Sequence, residues 1–225
     1  MSDSSLILDK QEWQHIDVMT ERFPYLRDSF ESALAVPTEE RYEWAVKRLE
    51  NLPRTGYAFR GIPDAHVETI SRHIQEMKNL SCLFAEAVLS KEEEEIALKM
   101  IAVHDLPEAV THDFHRHDPI TKVEKGKLEA SALKIILEQD PQGLQPLFHL
   151  YEAAAAPVAH WVKDLDYLQC MERTLQYQQD FPEVRANLEE FWDDAYGKPL
   201  NTAQGRKMLD GLLARRKQLF PGVGR

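Results

Sequence analysis

Glycine is scarce, at 9 residues among 225. So few leave little room for the tight turns of a strand-rich fold. No glycine-rich phosphate loop is present, and no stretch alternates convincingly as a strand. Cysteine is rarer still: Cys82 and Cys170 stand far apart, with no CxxC spacing. They read as two buried thiols in a reducing compartment rather than a disulfide framework. The segment MSDSSLILDKQEW lacks a basic start and a long apolar run. Neither a secretory signal nor a transmembrane span is expected, so the chain is assigned to the cytoplasm with no membrane partner. Basic residues are outnumbered, 27 against 38 acidic, for a net charge of −11. Such a surface repels nucleic acid, whose binding needs clustered Lys and Arg. A small anionic ligand would need a local cation, from a metal or a few arginines.

What the chain does have is helical periodicity. At 43% hydrophobic residues it can bury one core, or one core with helical additions. Residues 10–50 read as two or three helices, the clearest being EERYEWAVKRLENL with Tyr42, Ala45, Val46 and Leu49 on one face. PRTGYAFRGIPDA, with Pro53, Gly56, Gly61 and Pro63, reads as a loop carrying Arg54, Tyr57 and Arg60. A helix is expected over 66–89, and Ser90 with the acidic run after it opens another over 91–110. THDFHRHDPIT reads as a polar loop, and KVEKGKLEASALKIILEQ as a helix. GLQPLFHLYEAAAAPVAHWVKDLDYLQCMERTLQYQQ makes one or two long helices, with Pro157 as the break. PEVRANLEEFWDDAYG and QGRKMLDGLLARRKQLF end the chain as helices. The fold class is all-α.

The 91–110 segment carries the chemistry. Its stripe of Ile96, Ala97, Met100 and Ile101 continues into His104, Asp105 and Glu108. Spacings of three and four crowd these ionisable groups on one side of a helix that faces the core. Left unpaired there, they would cost several kcal/mol, so something must compensate. Pro107 forces the helix to end or kink beside them. Two further His-Asp doublets, His112-Asp113 and His117-Asp118, lie on the polar loop and read as solvated. A metal would need ligands from elsewhere. His73, between Ile70 and Met77, is the best placed, and WVKDLDYL offers Asp164 or Asp166, which periodicity does not separate.

In order along the chain, RTGYAFRGI, VETISRH, HDLPEAVTHD, KVEKGKLEASAL and VKDLDYLQCME resemble the blocks of HD-domain phosphohydrolases, and most of all their 5'-deoxynucleotidase branch. The likeness spans about residues 52–180. It implies an HD-domain core over 51–180, with an N-terminal helical extension (1–50) and C-terminal helices (181–225). It also implies His73, His104, Asp105 and Asp166 as ligands of one divalent ion, since the last residue of VKDLD is the ligand in that pattern. Glu108 and Asp113 match the acidic pair that positions and deprotonates water, and Arg54 matches an arginine that contacts the nucleotide. Tyr57 falls near a position where relatives often carry Trp. Three features depart from the pattern: Arg72 stands where relatives usually have an acidic residue, His112 where Gly is common, and FHRHDP adds His115 and His117.

The implied ligand set suits Mn²⁺, Co²⁺, Fe²⁺, Ni²⁺ or Mg²⁺. The expected reaction is release of the 5'-phosphate from a (deoxy)nucleoside monophosphate. Glu108 would be the general acid/base with Asp113 orienting it or the water, and Arg54 would offset phosphate charge, helped by Arg60 or Lys163. The rivals are a dNTP triphosphohydrolase, a hydrolase of another small phosphate compound, and a non-catalytic metal-containing helical binding protein. Relatives often pair, so a homodimer is a further expectation.

Overall fold

The computed structural model describes residues 7–140, 142–195 and 200–221. Among them the chain is helical, with a single isolated antiparallel bridge, Pro53 to Thr69. Helices α1 (Lys10–Thr20), α2 (Leu26–Ala35) and α3 (Arg41–Leu49) come first. A capping box of Asp9 and Glu12 starts α1, a feature that stabilises a helix by about 1 kcal/mol. Ile16, Met19, Leu26, Phe30, Ala45 and Leu49 from these helices join the same core as the later ones. Val46, expected on the buried face of α3, is exposed; Arg41 is buried instead.

The segment expected as a loop contains a short helix, α4 (Thr55–Phe59), and a 3-10 turn at Asp64–His66. No local side chain caps α4. The remote Asp113 carboxylate does so, accepting from Thr55 N at 2.7 Å and Oγ1 at 3.0 Å. Gly61, at φ 92°, reverses the chain after α4 in a left-handed conformation that favours glycine. The predicted 66–89 helix begins later, at Ile70, because Thr69 caps it through Arg72 N. This α5 (Ile70–Phe84) gives way to a 3-10 turn at Ala85–Ala87. Cys82, expected to be buried, is exposed on it, and Cys170 is half-buried.

Ser90 and Glu93 form a capping box on α6 (Lys91–Val103). Ile96, placed on its core stripe by periodicity, is exposed, while Ala97, Met100 and Ile101 are buried. The helix stops at Val103 rather than running to 110. From Leu106 on, the chain makes i to i+3 turns, then α7 (Glu108–Thr111), with Pro107 as its N-cap. Proline lacks an N–H and its ring would clash with the carbonyl of Val103, so the α ladder cannot pass this point. Helix α8 (Lys122–Ile136) starts with another capping box, Thr121 and Glu124. Then come α9 (Leu144–Ala153) and α10 (Pro157–Asp180), where Pro157 occupies the first turn and starts the helix. A 3-10 helix (Pro182–Leu188), α11 (Glu189–Ala195) and α12 (Ala203–Leu219) complete the chain. Tyr196 and Gly197, the end of one expected helix, lie outside the described residues, as do residues 1–6 of the N-terminal segment.

The long α10 lies against α5, α6, α9 and α12, while α6 packs on α5 and α9. The junction of α5, α6 and α10 is therefore enclosed by helices. Asp164 fixes α12 to this frame. Its Oδ1 accepts from Asn201 N and Nδ2, both at 2.9 Å. Its Oδ2 accepts from Thr202 N at 2.8 Å and Oγ1 at 2.7 Å. Thr202 is the N-cap of α12. A Cβ on Gly205 would sit 2.5 Å from Asp164 Oδ2, so glycine permits the approach.

Two substitutions test this anchor. Asp164→Ala takes the buried acceptor away from four part-buried donors and is expected to lower unfolding free energy by about 2–4 kcal/mol. Gly205→Ala is expected to destabilise as well, although alanine is the better helix former by about 1 kcal/mol. Urea denaturation of each variant decides; a Gly205→Ala protein more stable than wild type contradicts the close approach.

Candidate metal centre and active site

Each helix at the junction supplies part of one cluster. His73 lies near the start of α5, His104 is the C-cap of α6 with Asp105 next to it, and Asp166 comes from α10. His73 Nε2 lies 3.3 Å from Asp166 Oδ1 and 3.6 Å from Asp105 Oδ2, and His104 Nε2 lies 3.1 Å from Asp105 Oδ2. One ligand atom from each of His73, His104 and Asp166 falls within 4.8 Å of the other two. Both Nε2 atoms are buried and make no hydrogen bond of acceptable geometry. A buried polar atom without a partner is expensive. A divalent cation between two imidazole nitrogens and two carboxylates satisfies all of them, so the donor set fits such an ion. His104 Nδ1 lies 2.8 Å from the Ile101 carbonyl oxygen of its own helix. Donation there leaves Nε2 free to ligate.

Electrostatics follow the same geometry. Burial lowers the His104 pKa, but Asp105 outweighs it and the net shift is upward. Burial raises Asp105 and Asp166, yet the neighbouring His104 and His73 hold both carboxyls well below the usual range. Glu108 behaves in the opposite way: burial first, then Asp105 and Asp113, push it well above the ordinary carboxylate value. Lys125 Nζ stands 3.4 Å from Glu108 and 3.3 Å from Glu129, the nearest cation to this pair of acids. Arg54 Nη1 lies 3.7 Å from Asp105 Oδ2. The bridge at Pro53–Thr69 brings Arg54 there, with Arg54 N donating to the Glu68 carbonyl.

An open cleft of 220 Å³ continues from Arg54 and Asp113 past Phe114, Tyr167 and Phe191. A larger groove of 320 Å³ elsewhere is lined by Glu39, Glu43 and Asp140, the wrong charge for a phosphate. The structure does not bring every expected substrate residue to the cleft surface. Tyr57 is 1% exposed, its hydroxyl donating to the Cys170 carbonyl and its ring stacked on Phe191. Arg60 lines the cleft but is buried, and donates to Glu190 at 2.7 Å. Lys163 lies over the Tyr151 ring at 3.8 Å. Of the two aspartates that periodicity left open, Asp164 is bound to α12 and Asp166 faces the histidines.

Two of the departures are explained locally. Arg72 is 63% exposed and pairs with Glu76 at 3.1 Å, one helical turn on, so it points away from the cluster. His112 adopts φ 62°, ψ 168°, a region that glycine enters freely. Its ring packs against Tyr25 at 4.5 Å. Helical periodicity does not distinguish Tyr151 from its neighbours. Its hydroxyl donates to Asp166 Oδ2 at 3.0 Å and its ring meets His104 edge-on. Lys125 and Glu129 are likewise indistinct in the sequence, because an i,i+4 pair on an amphipathic helix reads as an ordinary surface pair.

A family model described as the HD domain matches residues 46–205. The chain belongs to the HD-domain family. Its relatives include the 5'-deoxynucleotidase hdd1 of Schizosaccharomyces pombe, 28% identical, covering 79% of this chain and 90% of that protein. The 5'-deoxynucleotidase HDDC2 of Mus musculus is 28% identical over 70% of this chain and 78% of its own length. Among solved structures, a conserved hypothetical protein from Pyrococcus furiosus superposes with a TM-score of 0.63 at 26% identity, covering 76% of this chain and 96% of that one. A Pyrococcus horikoshii protein gives 0.61 at 26% identity, over 78% and 96%. Of the three His-Asp doublets, the one at the end of α6 is the one that lies in the buried cluster with His73 and Asp166.

Glu129 supplies a pH test of the acid cluster. Burial raises its pKa from 4.5 to about 7, with Lys125 opposing. A carboxyl raised by folding contributes stability that is complete below its unfolded value and lost as pH rises through the folded one. Wild type is therefore expected to lose stability relative to Glu129→Gln between pH 4.5 and about 7. Urea midpoints across pH on chelator-treated protein measure the difference; parallel curves would contradict the buried setting of Glu129.

Proposed function

We propose that this HD-domain protein is a metal-dependent phosphohydrolase that removes the 5'-phosphate from (deoxy)nucleoside monophosphates. The observation that carries the reading is the pair of unpartnered, buried imidazole nitrogens facing two carboxylates. The choice of substrate is supported by the relatives that bear the name 5'-deoxynucleotidase. His73, His104, Asp105 and Asp166 hold one divalent ion, of the Mn²⁺, Co²⁺, Fe²⁺, Ni²⁺ or Mg²⁺ class. When bound, that ion supplies Lewis acidity to a phosphoryl oxygen and acidifies a water.

The chain's own residues carry the proton and the charge. Water oxygen attacks phosphorus and the bond to the 5'-oxygen breaks. Glu108 takes the proton from the water and returns it to the leaving oxygen. Burial beside Asp105 and Asp113 raises its pKa, which favours the protonated form that donates to the leaving oxygen. Asp113, fixed by Thr55, orients the water or Glu108. Arg54 offsets phosphate charge at the mouth of the cleft. The sugar and base extend along Phe114, Tyr167 and Phe191. Tyr57 and Arg60 act from behind, by supporting the Phe191 wall. A cytoplasmic location accords with two unpaired cysteines. Among the described residues no helix is long and apolar enough to cross a membrane.

Purified protein loaded with Mn²⁺ or Co²⁺ should release inorganic phosphate from dAMP-like substrates. Glu108→Gln should lower kcat by about 10²- to 10⁴-fold with metal retained. Release of triphosphate from dNTPs would move the assignment to the rival phosphohydrolase class. Metal-loaded protein that releases nothing from any nucleotide would refute both.

A further inference from the structure

A second set of polar groups is buried behind His73, on the Nδ1 side of its ring. Gln169 Oε1 lies 2.5 Å from His73 Nδ1. The other end of the amide settles which atom faces the histidine. Gln169 Nε2 donates to Glu68 Oε1 at 2.7 Å and to Glu76 Oε2 at 2.8 Å. Glu68 Oε1 also takes the Arg173 Nε–H, and, against burial, Gln169 and Arg173 hold the Glu76 carboxyl below its ordinary value, so both oxygens accept and both amide hydrogens are engaged there. Flipping the amide would set its oxygen against two carboxylates. The oxygen therefore faces His73 and can only accept, so Nδ1 must carry a hydrogen, and in the neutral ring Nε2 then holds the lone pair. Arg173 braces the arrangement, donating from Nε to Glu68 Oε1 at 3.0 Å and from Nη2 to Glu76. Arg72 holds the same Glu76 from the solvent side. His73, Glu68 and Gln169 are all buried. The other Glu68 oxygen makes no hydrogen bond. Packing alone would favour apolar side chains at such positions over a buried network with an unsatisfied oxygen.

We propose that Gln169 is a positioning residue for His73, holding it in the Nδ1–H tautomer and the ring orientation that leave Nε2 to the divalent ion. The network of Glu68, Glu76 and Arg173 holds Gln169 in turn. The two histidines are thus fixed by different means. His104 leans on a backbone carbonyl of its own helix, which no side-chain substitution removes, whereas His73 depends on one side chain from α10. Asp166 and Gln169 sit three residues apart on that helix, so one face of α10 serves both nitrogens of the His73 ring. The inference rests on the metal-centre reading, but the tautomer exists without metal and can be read separately.

The test is ¹⁵N NMR of the imidazoles in chelator-treated protein at pH about 9, well above the ordinary imidazole value of about 6.5. Loss of a resonance in His73→Gln assigns the ring. Wild type is expected to show Nδ1–H with Nε2 unprotonated. In Gln169→Leu the hydrogen should move to Nε2, drawn by the Asp105 and Asp166 carboxylates. Co²⁺ affinity, measured by chelator competition, should fall by about 10- to 100-fold. A merely structural Gln169 would leave the tautomer unmoved. An Nε2–H tautomer in wild type overturns the proposal, and so does a folded Gln169→Leu protein with unchanged tautomer and Co²⁺ affinity. If the variant does not fold, the wild-type tautomer decides. Failure of wild type to take up Co²⁺ counts against the metal-centre reading, while the tautomer still judges the Gln169 contact.

Discussion

Two imidazole nitrogens face two carboxylates inside a helical core, and much of the surrounding structure answers the demands of that meeting. Burial alone would drive the histidines neutral and the carboxyls protonated. Here the mutual charges win in both directions, raising His104 and lowering Asp105 and Asp166. Such an arrangement holds only where the backbone cannot relax. Packing of α5, α6 and α10 against one another supplies that rigidity. The Asp164 anchor, two residues from Asp166, ties the same stretch of α10 to α12.

The end of α6 is as important as its packing. A helix continued through Pro107 would have kept His104, Asp105 and Glu108 on one cylinder, about 1.5 Å apart along the axis per residue. Ending it at Val103 separates their tasks. His104 keeps the helical ladder through Met100, and Glu108 opens a new short helix packed among α2, α3 and α8. The acid that titrates high and the acids that titrate low thus sit on different elements. Their unlike environments set their unlike protonation, a division expected where one carboxyl exchanges protons and others hold charge.

How far the site could be read from the sequence depends on the kind of interaction. The histidines and Asp105 interrupt apolar stripes at helical spacing, and such interruptions are visible. Asp164 and Asp166 both flank the buried Leu165, so period alone could not rank them. What separates them is Asn201 and Thr202, thirty-odd residues away in sequence and adjacent only in the fold. Tyr151 and Gln169 carry no sequence signal for the same reason. A tyrosine or glutamine on a helix face acquires meaning only from the atom opposite it. Cap-driven boundaries split likewise: Ser90 and Thr121 announce α6 and α8 locally, whereas α4 is capped by Asp113 from across the site. Ile96 and Val46 show the converse error, since apolar residues at the margin of a stripe are often left exposed.

His112 connects the N-terminal helices to this chemistry. A non-glycine residue at φ 62°, ψ 168° carries strain of about 1–3 kcal/mol, which persists only if neighbours hold it. Tyr25 does so twice, packing its ring at a tilt against the His112 ring and donating its hydroxyl to the Thr111 carbonyl at 3.2 Å. Arg48 adds a hydrogen bond to the Ala109 carbonyl at 2.8 Å. Glu108 and Asp113 stand at the two ends of the segment so held. Tyr25 precedes the span matched by the family model, so here the work of holding the acidic pair extends to a helix outside it. Where glycine would take the turn at position 112 without strain, this chain uses histidine and an aromatic partner, and the position of Asp113 against Thr55 follows from their contact.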